Sequence, residues 1–142
     1  MISTGSRVET IRLGERVGRS LKAGDIVALH GELGAGKTTL IQGIAKGLGV
    51  KEWVTSPTFT IINEFKGRID LYHVDLYRID RMEEALEVEI EEYFEKGGAT
   101  VIEWAEKIRP LLPKRTIEIN IDIVSENERK IEIKGLEIGD KR

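Results

Sequence analysis

Cysteine is absent from the 142 residues, which excludes disulfides and thiolate metal sites and agrees with a cytoplasmic home. Proline is scarce, with three residues, and Gln42 is the one glutamine. So few amides beside abundant Glu, Lys and Arg lean towards a thermophile's usage. No apolar run approaches the length of a membrane span and no signal peptide opens the chain, so no membrane association is expected. Excess positive charge is missing too. A net charge of −3 gives nothing like a basic nucleic-acid surface, so direct DNA binding is not expected and any RNA should be held by a partner. What remains, 40% hydrophobic and 33% charged residues, suits one soluble globular domain over residues 1–142, long enough for a proper core.

Glycine, by contrast, is plentiful and placed. Gly31-Glu32-Leu33-Gly34-Ala35-Gly36-Lys37-Thr38 fits the phosphate-binding pattern G-x-x-x-x-G-K-[ST] at every specified position, and Thr39 follows it. Gly31, Gly34 and Gly36 let the backbone turn tightly, so that N–H groups can point at phosphate oxygens. Lys37 brings a mobile positive charge for the β- and γ-phosphates, and the Thr38 hydroxyl can ligate Mg²⁺. Before the loop, residues 25–30 form a compact apolar run, as a buried parallel strand does. After it, Leu40, Ile41, Ile44, Ala45 and Leu48 share one helical face, so the loop opens a helix whose N-terminal dipole favours anions. The alternative is a glycine-rich turn with no ligand. With strand and helix both in place, the chain reads as a nucleotide binder.

Elsewhere, Ile11, Leu13, Val17 and Leu21 recur at near-helical spacing and predict a helix over 7–21, and residues 22–25 form a turn. Pro57 makes residues 54–59 loop-like. Residues 60–66 and 69–75 read as strands joined by a Gly67-Arg68 hairpin. The spacing predicts one acidic helix over 82–95, ended by Gly97-Gly98. Residues 99–102 form a buried strand run, and Pro110 and Pro113 bracket a connection. Strict alternation over 116–123 and 129–134 predicts strands with one wet face, an antiparallel extension of the sheet. The expected fold is α/β, a P-loop NTPase-like three-layer arrangement whose mixed, mainly parallel sheet carries antiparallel C-terminal strands.

A phosphate loop needs acids at strand ends, because Mg²⁺ takes hard oxygen ligands and the attacking water needs orienting. Glu103 and Asp75 stand where strand runs end and are expected to line the site; which of them contacts Mg²⁺ is open from spacing alone. Thr58 and its neighbouring hydroxyls on 55–60 could sense a γ-phosphate or form an ordinary turn. Arg78 could reach a phosphate or lie on the surface. Core packing is the default for Trp104, a satisfied side chain for His73, and a structural role for His30. The acidic face of residues 83–92 reads as solvated, or as a docking face for a basic partner.

Taken together, the loop at 31–39, Ser-Pro-Thr-Phe-Thr at 56–60, Tyr-His-Val-Asp-Leu-Tyr-Arg at 72–78 and Ile-Glu-Trp at 102–104 resemble the TsaE (YjeE) family. These are small bacterial P-loop ATPases of tRNA threonylcarbamoyladenosine biosynthesis. The resemblance implies an ATPase using ATP and Mg²⁺ that assists the partner proteins TsaD and TsaB, which make the transfer, and that meets tRNA through them. It implies phosphate binding by Lys37, Mg²⁺ ligation by Thr38, action of Glu103 at the metal or its water, support from Asp75, and an adenine near residues from Ser6 to Thr10. Glu32 stands where Asp is more usual in the family, a change that leaves the backbone phosphate contacts untouched. Two rivals start from the same loop. A small-molecule P-loop kinase usually needs an arginine-rich lid, and residues 75–115 carry no comparable cluster. A nucleotide-dependent switch that reads guanine usually carries an Asn-Lys-x-Asp-like element; none is present, so ATP is expected.

Overall fold

A computed structural model describes residues 1–32, 34–54 and 61–138. Its centre is built from apolar runs that can be buried on both faces. Strands β2 (Ile26–His30), β4 (Leu71–Asp75), β5 (Ala99–Glu103) and β6 (Ile117–Ile123) lie parallel in the order β6-β2-β5-β4. Strand β3 (Ile62–Phe65) adds antiparallel to β4 at one edge. At the other edge β7 (Arg129–Lys134) runs antiparallel to β6, and the short β1 (Ile2–Thr4) antiparallel to β7. The two C-terminal strands are thus antiparallel to each other, while β6 itself joins β2 in parallel.

Period-2 alternation divides the core. Val27, Leu29 and Val101 point to one side, where they meet Leu13, Val17, Leu40 and Ile44 from helices α1 (Arg7–Ser20) and α2 (Lys37–Gly47). Ile26, Ala28, Val74 and Ile102 point to the other, against Ala85 of α3 (Met82–Glu87), Ile90 of α4 (Ile90–Tyr93) and Ala105 and Ile108 of a 3-10 helix (Ala105–Leu111). Three layers result, and each fully buried Leu or Ile contributes about 1.5–3 kcal/mol.

Helix α1 starts at Ser6, whose Oγ accepts from the Glu9 N–H at 3.1 Å. It packs on α2 backbone to backbone. A Cβ on Gly18 would stand 2.2 Å from the Ile44 carbonyl oxygen, and one on Gly43 2.2 Å from that of Ile11. Gly14 and Gly47 face the same seam. This close approach sets the start of α1 beside the glycine-rich loop that opens α2.

The single helix expected over 82–95 is instead two, broken at Val88-Glu89 with Glu89 in the left-handed region at φ 56°. At about 3.6 residues per turn, Ala85 and Phe94 would face opposite sides of one continuous helix. Both are buried, so the chain breaks to aim both at the sheet and leaves Leu86 and Val88 exposed.

Candidate nucleotide site

The loop between β2 and α2 lies at the C-terminal ends of the parallel strands, where open α/β sheets form their ligand crevice. Gly34 and Gly36 both take positive φ, 81° and 99°, so the backbone curls as a nest of N–H groups requires. Gly31 is held against β6: a Cβ there would lie 2.7 Å from the Ile121 carbonyl oxygen. The Ala35 N–H donates to the Glu32 carbonyl at 3.0 Å, and the Ala35 carbonyl accepts from Arg129 Nε at 2.8 Å. Arg129 Nη1 also donates to the carbonyls of Ser125, Glu126 and Glu128. Through one guanidinium the β6–β7 turn is tied to the middle of the loop.

A cavity of about 400 Å³ opens on one side of the loop, lined by Gly34, Gly36, Lys37, Thr38 and Thr39 and closed by Asp75, Tyr77, Glu103 and Trp104. Asp75 and Glu103 are register partners on β4 and β5, which puts the two acids side by side. Asp75 Oδ1 accepts from the Tyr77 N–H at 3.0 Å. Glu103 is 5% exposed; its Oε1 lies 4.0 Å from Lys37 Nζ and its Oε2 lies 2.8 Å from His73 Nε2. Lys37 Nζ also stands 4.7 Å over the Trp104 ring. The buried ammonium therefore rests between a carboxylate and an aromatic face, as a desolvated cation must.

A second cavity of about 210 Å³ shares Gly34, Gly36 and Thr39 with the first and continues to Ser6, Arg7 and Thr10 on one wall and Glu126, Asn127 and Arg129 on the other. The hydroxyls of Ser6 and Thr10 have work inside the fold. Ser6 caps α1, and Thr10 Oγ1 donates to the Ser6 carbonyl and lies 2.8 Å from Thr4 Oγ1. Arg7 Nη2 donates to Gln42 Oε1 at 3.0 Å. A larger groove of about 780 Å³ runs beside α1 and β1, past Arg12, Arg16 and Arg19, and holds no residue of the loop.

The sequence-derived residues distribute as follows. Gly34, Gly36, Lys37, Thr38, Thr39, Asp75 and Glu103 meet at the first cavity, and Ser6 and Thr10 at the second. Ala35 lies buried under the loop, and Glu32 is exposed. Leu33 and Thr58, with the rest of 55–60, lie outside the described residues. Arg78 is exposed and lines neither cavity. Trp104 packs on the inner cluster, as expected, but its left-handed backbone (φ 62°) also lays the ring against the site. His73 is fully buried and paired, and His30 Nε2 meets Glu118 Oε1 at 2.7 Å. No motif marks Arg7 or Arg129, and Arg129 opens an alternating strand 94 residues beyond Ala35.

Among the described residues no three or more His, Asp or Glu side chains cluster as a metal cage. Mg²⁺ does not need one, since it is commonly bound by one or two carboxylates, phosphate oxygens and water. The hard oxygens of Thr38, Asp75 and Glu103 in one cavity fit that chemistry.

The family model described as "Threonylcarbamoyl adenosine biosynthesis protein TsaE" matches residues 4–131. The tRNA threonylcarbamoyladenosine biosynthesis protein TsaE of Treponema pallidum is 40% identical over 128 residues, 90% of this chain and 95% of that protein. The protein of the same name from Nostoc sp. is 43% identical over 137 residues, 93% and 83% of the two chains. The crystal structure of Bacillus subtilis YdiB aligns with a TM-score of 0.75 and 35% identity, over 97% of this chain and 84% of that one.

Proposed function

This chain belongs to the TsaE family of threonylcarbamoyl adenosine biosynthesis proteins, and we propose that it works there as a Mg²⁺-dependent ATPase assisting a TsaB–TsaD complex. The observation that carries this reading is the meeting of two cavities across one phosphate loop, with Lys37, Asp75 and Glu103 converging on the first. The smaller cavity fits the nucleoside end of ATP, and the larger fits the γ-phosphate and the attacking water. Loop N–H groups and Lys37 hold the phosphates. Bound Mg²⁺ would supply charge neutralisation at the β- and γ-phosphate oxygens, held by Thr38 with Asp75 or Glu103. Glu103 orients the attacking water, or would act at the metal when it is bound, and Asp75 supports it. Water then adds to the γ-phosphorus as the bond to the ADP oxygen breaks, releasing ADP and phosphate.

The chain does not itself transfer threonylcarbamoyl. It acts in the cytoplasm on the partners that do, TsaD with TsaB, and meets tRNA through them next to the anticodon, in keeping with its net charge of −3. Hydrolysis by the isolated protein is slow. Arg78 lies outside both cavities and Arg129 is bound to backbone carbonyls, and a missing arginine finger lowers rates by about 10³-fold or more.

Mg²⁺-dependent hydrolysis by wild type and Glu103→Ala, each with and without TsaB–TsaD, tests this. The expected result is slow turnover that rises with the partners and falls in the variant. A strong preference for GTP would sink the ATPase reading in favour of a switch. Turnover only with an added small-molecule acceptor would sink it in favour of a kinase.

A further inference from the structure

We propose that His73 is a positioning residue for Glu103, holding that carboxylate toward the phosphate-side cavity by donating from Nε2; this rests on the ATPase reading above. On paired strands β4 and β5, His73 lies opposite Val101 and Asp75 opposite Glu103. Residues two apart share a face, so His73 reaches Glu103 diagonally from beneath. The ring is 0% exposed, and Nε2 stands 2.8 Å from Glu103 Oε2. Its other nitrogen, Nδ1, is buried and has no hydrogen-bond partner among the described residues.

Those contacts select one form of the ring. An Nδ1–H tautomer would leave a buried orphan donor and turn the Nε2 lone pair on the carboxylate oxygen. The Nε2–H form leaves only an unfilled acceptor, the less costly of the two. It spends its one donor on Glu103, so Oε2 is fixed while Oε1 stays toward Lys37, 4.0 Å away. A carboxylate that must meet a water or a metal ion needs such a second partner, because rotation about its own side-chain bonds would otherwise blur its aim.

The test uses the full chain with two substitutions, His73→Leu, which removes the donor, and His73→Gln, whose amide nitrogen can stand near the site of Nε2. Steady-state ATP hydrolysis should show kcat lowered about 10- to 100-fold in H73L with KM little changed, and most of the loss recovered in H73Q. Independently of turnover, ¹H–¹⁵N spectra of the nucleotide-free, metal-free protein should report a protonated Nε2 and a bare Nδ1 for His73. A folded H73L with wild-type kcat overturns the role, as does an equal loss in H73L and H73Q or an Nδ1–H signature. A wild type without hydrolysis would instead overturn the ATPase reading and this role with it, so the two failures are told apart by the wild type alone.

Discussion

The Lys37 side chain is only 8% exposed, with Glu103 4.0 Å and the Trp104 ring 4.7 Å from its Nζ. In the proposed ATPase the loop's N–H groups crowd the phosphates and Lys37 adds a full positive charge. Lys37→Ala should therefore weaken nucleotide binding, read by titration of a fluorescent ADP analogue. Glu103→Gln keeps the shape and an acceptor oxygen yet loses the charge. It should lower turnover about 10²-fold or more while nucleotide affinity changes far less; equal losses in both would remove Glu103 from the chemical step. Arg129 acts through the backbone. Arg129→Met removes the donor to the Ala35 carbonyl and three donations to the turn. Charge-assisted bonds of this kind are worth about 1.5–3 kcal/mol, so nucleotide affinity should fall about tenfold with the far-ultraviolet dichroism unchanged.

At the scale of elements, the α1–α2 seam decides where the smaller cavity, lined by Ser6, Arg7 and Thr10, stands. A Cβ at Gly18 or Gly43 would run into the partner helix's backbone, not into a side chain that can rotate away. Gly18→Ala and Gly43→Ala should each cost about 1–3 kcal/mol of stability, measured by urea unfolding, even though alanine is the better helix former. The break between α3 and α4 makes the opposite prediction. Glu89 is a non-glycine residue at φ 56°, and its side-chain hydrogen bond and its charge push the Glu92 carboxyl above its ordinary range. Glu89→Gly should raise the melting temperature; a drop would mean the left-handed turn is not strained. Spacing marks both features only in part. By propensity alone Gly14, Gly18, Gly43 and Gly47 would weaken their helices, and only the facing helix gives them a packing role. Residues 82–95 read as one helix because the sequence does not say that Ala85 and Phe94 must both face the sheet.

Across the whole molecule, one sheet carries every described strand, and a single calorimetric unfolding transition is expected. Glu118 joins distant parts of that sheet: its carboxylate accepts from Arg109 at the end of the 3-10 helix and pairs with His30 at the end of β2. Burial pushes its pKa up, but the bonds to Arg109 and His30 outweigh it and hold the carboxyl below its ordinary 4.5. A carboxyl depressed in the folded state stabilises the fold above its unfolded pKa, and that contribution is lost as pH falls through the folded value. Acidification below about pH 4.5 should therefore destabilise the wild type. Glu118→Gln should be less stable at neutral pH and show a flatter decline, which denaturation at a series of pH values would read.

The sequence by itself determined the glycine-rich loop at residues 31–38, the strand and helix on either side of it, and two acids at strand ends. Each depends on local chemistry: glycine at turns, a charge behind them, and apolar residues at periods of two and of three to four. Only the tertiary structure decided which groups touch. It set His73 under Glu103 and Glu103 beside Lys37, tied Arg129 to Ala35 across 94 residues, put β6 parallel to β2, and broke the acidic helix. Those outcomes follow from strand register and from which faces are buried together, and both are properties of segments meeting in space that no local pattern encodes.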